Sequence, residues 1–380
     1  MSRKIMSSND YAERISSLDS HDIYSVLCDY PGQVRTGMDV GNSVNLGGID
    51  APTLRNMLVC GMGGSAIGGD ILRVFAEQQA RIPIAVNRGY ILPGYVDEHS
   101  LVVVVSYSGG TEESLAAYAE ARRRKAQCVV VTSGGILLQQ AEAEGVPAAI
   151  IPGGLAPRCA LGYLFFPLLM IAARLDILDL QQSTLHAGIA VLEQCTREYA
   201  DHLGVGNQAI AIAERLRGKL PVLYGAQLAL DAVLMRWRCQ IEENAKMLAY
   251  SNVFPEMNHN EIVGWEQNED LLRRIAVVVL HDRDDLPQIR KRISVTLDIL
   301  RPLAADIIEV YAVDSDPLAR IFGLICLGDW VSFYLAMTSG VDPYPIVNID
   351  RLKAELEGEA QRHRGTEAQR HKKAHRHKGT

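Results

Sequence analysis

The chain has 380 residues, 48 % hydrophobic and 22 % charged, enough apolar material for a large core and enough length for two domains. The net charge of −7 hides an asymmetry: residues 361–380 carry seven Arg or Lys against one Glu, so the chain before them, relieved of that +6, stands at −13. An acidic body argues against a nucleic-acid partner, because binding DNA or RNA rests on basic surface. No apolar run approaches the roughly 18 residues of a membrane span, and Met1 to Asp10 is polar, so a cytoplasmic protein with no membrane partner is expected, its seven scattered cysteines reduced.

Taken in chain order, Asp19 to Cys28 has helical spacing and Asp29 to Asn45 reads as a connecting stretch. Asn56 to Cys60 is a short apolar run ending in glycines, with a helical pattern from Ala66 to Gln78 behind it. The alternation repeats: Ile82 to Val86; Leu101 to Val105 before helical Glu112 to Arg124; Cys128 to Thr132 before Leu137 to Ala143. Continuous β-branched runs alternating with helices predict an α/β fold whose parallel sheet is covered on both faces. Ala160 to Leu180 is apolar on most faces and suits a buried helix. A second such pattern follows: Pro221 to Gly225 before helical Leu228 to Gln240, Ile275 to Leu280 before Leu286 to Leu300, then Ile307 to Val313. The expected organisation is a helical segment at 1–45, a doubly wound parallel-sheet domain at 46–200, a second at 201–360 with a C-terminal helix, and a disordered basic tail at 361–380.

Two loops suit an anion. Gly61 to Asp70, with Gly64 and Ser65, leaves a strand and opens a helix, so backbone N–H groups can approach a phosphate. The same loop fits the dinucleotide pattern G-x-G-x-x-A, but the next strand ends in Asn87 and Arg88 rather than the acidic residue that a ribose requires; Arg88 leaves an NADP-dependent oxidoreductase as an alternative. Glycines serving only a tight turn are the plainer reading. Ser106-Tyr107-Ser108-Gly109-Gly110-Thr111 is more specific: three of its six residues are Ser or Thr and two are glycines, directly before a helix with acidic residues in its first turn. The plain alternative is an N-cap made by Thr111 or Ser108.

The residues suited to proton transfer cluster further on. Arg238 to Lys246 contains Glu242 and Glu243, and Phe254 to Glu261 contains His259 beside a proline turn; a carboxylate on a helix and a loop histidine suit acid–base chemistry. Taken singly, His259 reads as a structural histidine and the glutamates as a solvated face. Arg158, entering the apolar helix, suits an oxyanion partner or a surface ion pair. Metal-ligand spacings are lacking, and His363, His371, His375 and His377 fall in the tail.

With these residues in view, the chain resembles the bifunctional phosphoglucose/phosphomannose isomerase family of sugar isomerase (SIS) domain proteins. The likeness spans residues 20–355. It rests on Gly61 to Asp70, Ser106 to Glu113, Pro157-Arg158 with Gly162-Tyr163, Glu243 to Lys246, Pro255 to Asn260 and Gly340 to Pro343, in that order. The resemblance implies two SIS-type domains and metal-free, cofactor-free interconversion of glucose 6-phosphate, and mannose 6-phosphate, with fructose 6-phosphate through an enediolate. It also implies site roles: Gly64, Ser65, Ser106, Ser108 and Thr111 on the phosphate, Glu243 as the base between C1 and C2, and Arg158 beside the enediolate. His259 would be the ring-opening residue, supplied by the neighbouring subunit of a homodimer, and Lys353 a ring-opening lysine on the C-terminal helix. Two departures stand out: Gly110 where Asn is common, and Ile241-Glu242-Glu243 for a frequent Leu-Asn-Glu. Adjacent helical residues diverge by about 100°, so Glu242 is expected to face away from the site. A non-catalytic sugar-phosphate sensor is the main alternative, although no DNA-reading segment is apparent; a glutamine-dependent aminotransferase would need a cysteine where Ser2 follows Met1.

Overall fold

A computed structural model describes residues 6–203, 206–313 and 315–356; the tail expected at 361–380 lies outside them. One compact unit ends at Pro343 and a second begins at Tyr344. In the first unit α1 (Ser8–Leu18), α2 (Ile23–Cys28) and α3 (Tyr30–Ser43) lead into β1 (Asn56–Cys60), α4 (Gly64–Ala76), β2 (Ile84–Asn87), β3 (Ser100–Val105), α5 (Glu112–Arg123), β4 (Gln127–Thr132), α6 (Gly135–Ala143) and β5 (Ala148–Ile150). Then come α7 (Leu161–Arg174), α8 (Gln182–Ala200), α9 (Gln208–Leu216), β6 (Leu220–Ala226), α10 (Asp231–Ala245), β7 (Tyr250–Phe254), α11 (Glu269–Leu272), β8 (Ile275–His281), α12 (Pro287–Leu300), β9 (Asp306–Tyr311) and α13 (Pro317–Ser339). The second unit contains a helix over residues 347–356 among its described residues.

The strands form two wholly parallel sheets, ordered β2-β1-β3-β4-β5 and β7-β6-β8-β9. Their unbroken apolar sequences follow from burial on both faces. Leu58, Cys60, Val102, Val104, Cys128 and Val130 pack on one side of the first sheet against Tyr118 and Ala121 of α5 and Leu137 and Ala141 of α6. In the second, Val222, Tyr224, Val277 and Val279 meet Phe254, Trp265 and the α12 residues Ile293 and Leu297.

Three readings need correction. Residues 29–45 are mostly the helix α3: Gly32, Gly37 and Gly41 lower its intrinsic propensity, yet a Cβ at Gly37 would stand 2.3 Å from the Gly162 carbonyl oxygen and one at Gly41 2.8 Å from the Pro167 Cα, so these two let α3 lie directly on α7. Two short strands, β5 and β7, also escaped the periodicity. Finally, the 23-residue α13 does have the length and hydropathy of a membrane span, its most apolar 18 residues averaging a hydropathy of 1.6, but 94 % of that stretch is buried inside the protein. Its apolar run is interrupted by Arg320 and Asp329, which pair with Asp282 and Arg236 respectively. This central helix packs against α8, α9 and α10, joining the helical layers of both sheets.

Candidate active site

In the first sheet the chain leaves β1 in one direction and β3 in the other, so their C-terminal ends open a crevice at a topological switch point. Both anion loops lie there. Ser65 sits in the first turn of α4, buried, and its Oγ accepts a hydrogen bond from the Tyr107 N–H at 3.1 Å. Ser106 is fully buried and donates to Thr111 Oγ1 at 3.0 Å, while Ser108 is exposed and accepts from the Gly110 N–H at 3.4 Å. Thr111 holds the N-cap position of α5 but makes no side-chain cap, so the plain capping alternative is not realised.

Close approach fixes two of the glycines. A Cβ at Gly64 would lie 2.7 Å from the Pro157 carbonyl carbon and 2.9 Å from the Arg158 nitrogen, so Gly64 seats α4 against the 3-10 turn Pro157–Cys159. Gly109 has φ +66° and a Cβ there would strike the Gly134 carbonyl oxygen at 1.8 Å. Gly110 meets nothing within 4 Å, so its lack of a side chain is not imposed by packing. Tyr107 ties the loops together: its hydroxyl accepts from the Leu155 N–H at 3.0 Å, and its carbonyl accepts from Ser133 Oγ at 2.6 Å. Burial raises the phenol's pKa, keeping it neutral.

Arg158 connects this crevice to α10. It is 3 % exposed, which rules out the surface-ion-pair reading. Its Nε donates to Asn244 Oδ1 at 2.8 Å, one Nη donates to the Pro343 carbonyl at 2.9 Å, and the other lies 3.4 Å from Glu243 Oε2. The Arg158 carbonyl accepts in turn from Arg236 at 3.1 Å and Gln240 at 3.4 Å, and both also hold Asp329, at 2.6 and 3.0 Å. Residues 236, 240, 243 and 244 repeat at helical spacing, so one face of α10 carries the whole set. Asn244 is completed by donating to Ser332 Oγ of α13 at 2.9 Å. Arg236, Gln240, Asn244 and Asp329 were missed as supports from the sequence; polar residues four apart on a buried helix were the available signal.

Glu243 keeps about a quarter of its side chain exposed beside Arg158, at 26 %. Glu242 turns away, as expected: its carboxylate bonds the Ala249 N–H, and burial raises its pKa despite Arg238 nearby. Lys246 closes α10 in the left-handed region at φ 56°, with its ammonium donating to the Glu243 carbonyl and, at 3.0 Å, to that of Pro343. Burial first and Arg158 second lower its pKa.

His259 ends the 3-10 turn Glu256–His259 and is exposed. It follows the C-terminal end of β7, whereas α10 runs antiparallel to the strands and places Glu243 at their N-terminal edge. The five residues of β7, roughly 13 Å of extended chain, lie between the helix end that carries Glu243 and the turn that carries His259. Lys353 lies exposed on the helix over 347–356 of the second unit. Arg88 is engaged by Asp70 through its two terminal guanidinium nitrogens, which takes away the group that the NADP alternative relied upon. Among the described residues no three His, Cys, Asp or Glu side chains are grouped to hold a metal ion.

Comparison with known proteins agrees with this architecture. The SIS domain family model matches residues 54–144, and that of the bacterial phospho-glucose isomerase C-terminal SIS domain matches residues 206–356. A glucose-6-phosphate isomerase-like protein from Thermus thermophilus shares the fold with a TM-score of 0.60 at 20 % identity, covering 91 % of this chain and 99 % of its own. A bifunctional phosphoglucose/phosphomannose isomerase from Aquifex aeolicus is 34 % identical over 82 % of this chain and 93 % of its own length. Another with that name, from Caldicellulosiruptor bescii, is 38 % identical over 88 % of this chain and 98 % of its own length. The chain therefore belongs to the bifunctional phosphoglucose/phosphomannose isomerase family.

Proposed function

We propose that this chain is a cytoplasmic isomerase interconverting glucose 6-phosphate and mannose 6-phosphate with fructose 6-phosphate. The observation that carries the reading is the pair of Glu243 and Arg158, 3.4 Å apart, with Arg158 seated directly behind the phosphate-suited loops. The sugar phosphate is anchored by Ser65, Ser106, Ser108, Thr111 and the N–H groups near Gly64, with the positive ends of α4 and α5 adding attraction. Glu243 removes the C2 proton of the open-chain aldose and returns it at C1, and the Arg158 guanidinium holds the negative charge that develops on the enediolate oxygens. Because the enediolate is planar at C2, return of the proton to either face yields glucose or mannose stereochemistry.

Ring opening precedes that step and falls to His259 of a neighbouring subunit in a homodimer, with Lys353 as a second participant. The separation of His259 and Glu243 to opposite edges of the second sheet supports delivery from another copy. The reaction so drawn uses no metal and no organic cofactor.

The test is a coupled assay of all three sugar phosphates in the presence of a chelator. Turnover that chelation abolishes and zinc or manganese restores would refute the metal-free step. Glu243→Gln is expected to bind fructose 6-phosphate normally while C2 proton exchange with solvent falls by a factor on the order of 10² to 10⁴. Unchanged exchange in that variant removes Glu243 from the role, and a wild-type protein that binds but never turns over leaves the sensor alternative.

A further inference from the structure

The turn that carries His259 is anchored on both sides, while the imidazole itself projects into solvent. On one side Asn258 donates to Thr296 Oγ1 of α12 at 2.8 Å, and Asn260 donates to Glu256 Oε1 at 2.8 Å. On the other, the Glu261 carboxylate gathers three donors from two strands: the Tyr224 hydroxyl of β6, and from β7 the Tyr250 hydroxyl at 3.2 Å and Asn252 Nδ2 at 2.5 Å. Tyr224 is fully buried, and its hydroxyl also accepts from Trp265 Nε1 at 3.3 Å, so this carboxylate is tied into the core of the second sheet. A solvated glutamate on a surface turn has no need of such company, since water would satisfy it at less cost in ordering.

We infer that Glu261 is a positioning residue for ring opening, fixing the backbone on which His259 is presented to the neighbouring subunit. This rests on the ring-opening role proposed for His259. As the C1–O5 bond breaks, a proton must leave the O1 hydroxyl and one must reach O5, so the imidazole has to stand within hydrogen-bond reach of those atoms. A displacement near 1 Å is enough to cost about 10²-fold in such a step. Glu261 lies two residues beyond His259, and its three donors come from the rigid sheet and not from the turn itself, so its loss would let the turn move without unseating β7.

Enzyme-catalysed anomerisation of glucose 6-phosphate, followed by NMR exchange between the α and β forms, reads ring opening in isolation once Glu243→Gln has blocked proton transfer at C2. In that background, adding Glu261→Gln is expected to slow anomerisation at least about 10-fold while fructose 6-phosphate binding stays within about 2-fold. Tyr250→Phe, which removes one donor at an exposed position, serves as a milder second variant; it should slow anomerisation measurably with an unchanged thermal melt. Wild-type anomerisation in both combinations overturns the inference. If Glu243→Gln combined with His259→Ala still anomerises at the rate of Glu243→Gln alone, the ring-opening assignment of His259 has failed instead, and the two failures are thereby told apart.

Discussion

Gly64→Ala tests whether the first anion loop and the arginine turn are one unit. A methyl at Gly64 would stand 2.7 Å from the Pro157 carbonyl carbon, 2.8 Å from its oxygen and 2.9 Å from the Arg158 nitrogen, where ordinary contact begins at 3.4 Å. All three are backbone atoms, so no rotamer can relieve the clash, and α4 must separate from the turn by about 0.7 Å. Overpacking of this kind costs on the order of 1–3 kcal/mol. The same displacement opens the gap between Ser65 on α4 and Arg158 on the turn, and a shift approaching 1 Å between binding and reacting groups is expected to lower kcat/KM by roughly 10- to 100-fold. Steady-state kinetics on fructose 6-phosphate, alongside a thermal melt, separates the two effects. Gly110→Asn is the control: nothing lies within 4 Å of a Cβ there, so stability should hold within about 0.5 kcal/mol and turnover within a few-fold. Wild-type kcat/KM in Gly64→Ala would refute the coupling of α4 to Arg158.

Three further outcomes follow from the same network. Arg158→Lys keeps one charge but cannot span Asn244, Pro343 and Glu243 together; kcat should fall by about 10² to 10³ with a smaller change in KM, and an unchanged kcat would detach Arg158 from the enediolate. Asp329→Asn leaves Arg236 charged and short of its counter-ion in the core, at a cost of about 3–5 kcal/mol by urea denaturation, and a loss below 1 kcal/mol would contradict it. Asp285 is buried, with one carboxylate oxygen unpartnered, and burial pushes its pKa up from 3.8 to about 6. The folded chain then holds a proton that the unfolded chain releases, so this group's contribution to stability declines as pH rises from about 4 to about 6 and is constant above. Asp285→Asn should therefore gain on the wild type across that window, by at most about 3 kcal/mol, and a parallel pH dependence in both proteins would refute it.

The alternation of β-branched runs with helices was enough to place β1, β3, β4, β6 and β8 within a residue or two, because a parallel strand buried on both faces leaves an unbroken apolar signature. The hydroxyl-rich loop was equally legible, since Ser106, Ser108 and Thr111 are concentrated where a strand gives way to a helix. What failed were features set by contact rather than by period. The helix α3 was hidden by glycines, and the purpose of Gly37 and Gly41 becomes visible only when α7 is laid against them. In α13 the charges of Arg320 and Asp329 broke an apolar run because their partners, Asp282 and Arg236, are distant in sequence. The four-residue spacing of Gln240 and Asn244 was the one trace of their holding Arg158, the first at its carbonyl and the second at its guanidinium, and the burial of Arg158 itself shows only in the packing of α10.

The two sheets share a strand order, since β7-β6-β8-β9 repeats β2-β1-β3-β4, yet their C-terminal edges have opposite chemistry. After β3 come hydroxyls and glycines; after β8, in the corresponding position, comes Asp282-Arg283-Asp284-Asp285, with Asp282 and Asp284 already held by Arg320. A phosphate dianion approaching this second edge would meet carboxylates instead of N–H and O–H donors, which disfavours an anion there. The second sheet contributes instead from both of its ends: Glu243 from the last turn of α10 at one edge, and His259 beyond β7 at the other. The first of these faces Arg158 at 3.4 Å. The function proposed above anchors substrate on one sheet and moves protons with groups from the other, which calls for a rigid link between them; the Arg158 guanidinium, fixed by Asn244 and Pro343 while facing Glu243, has the contacts to supply it.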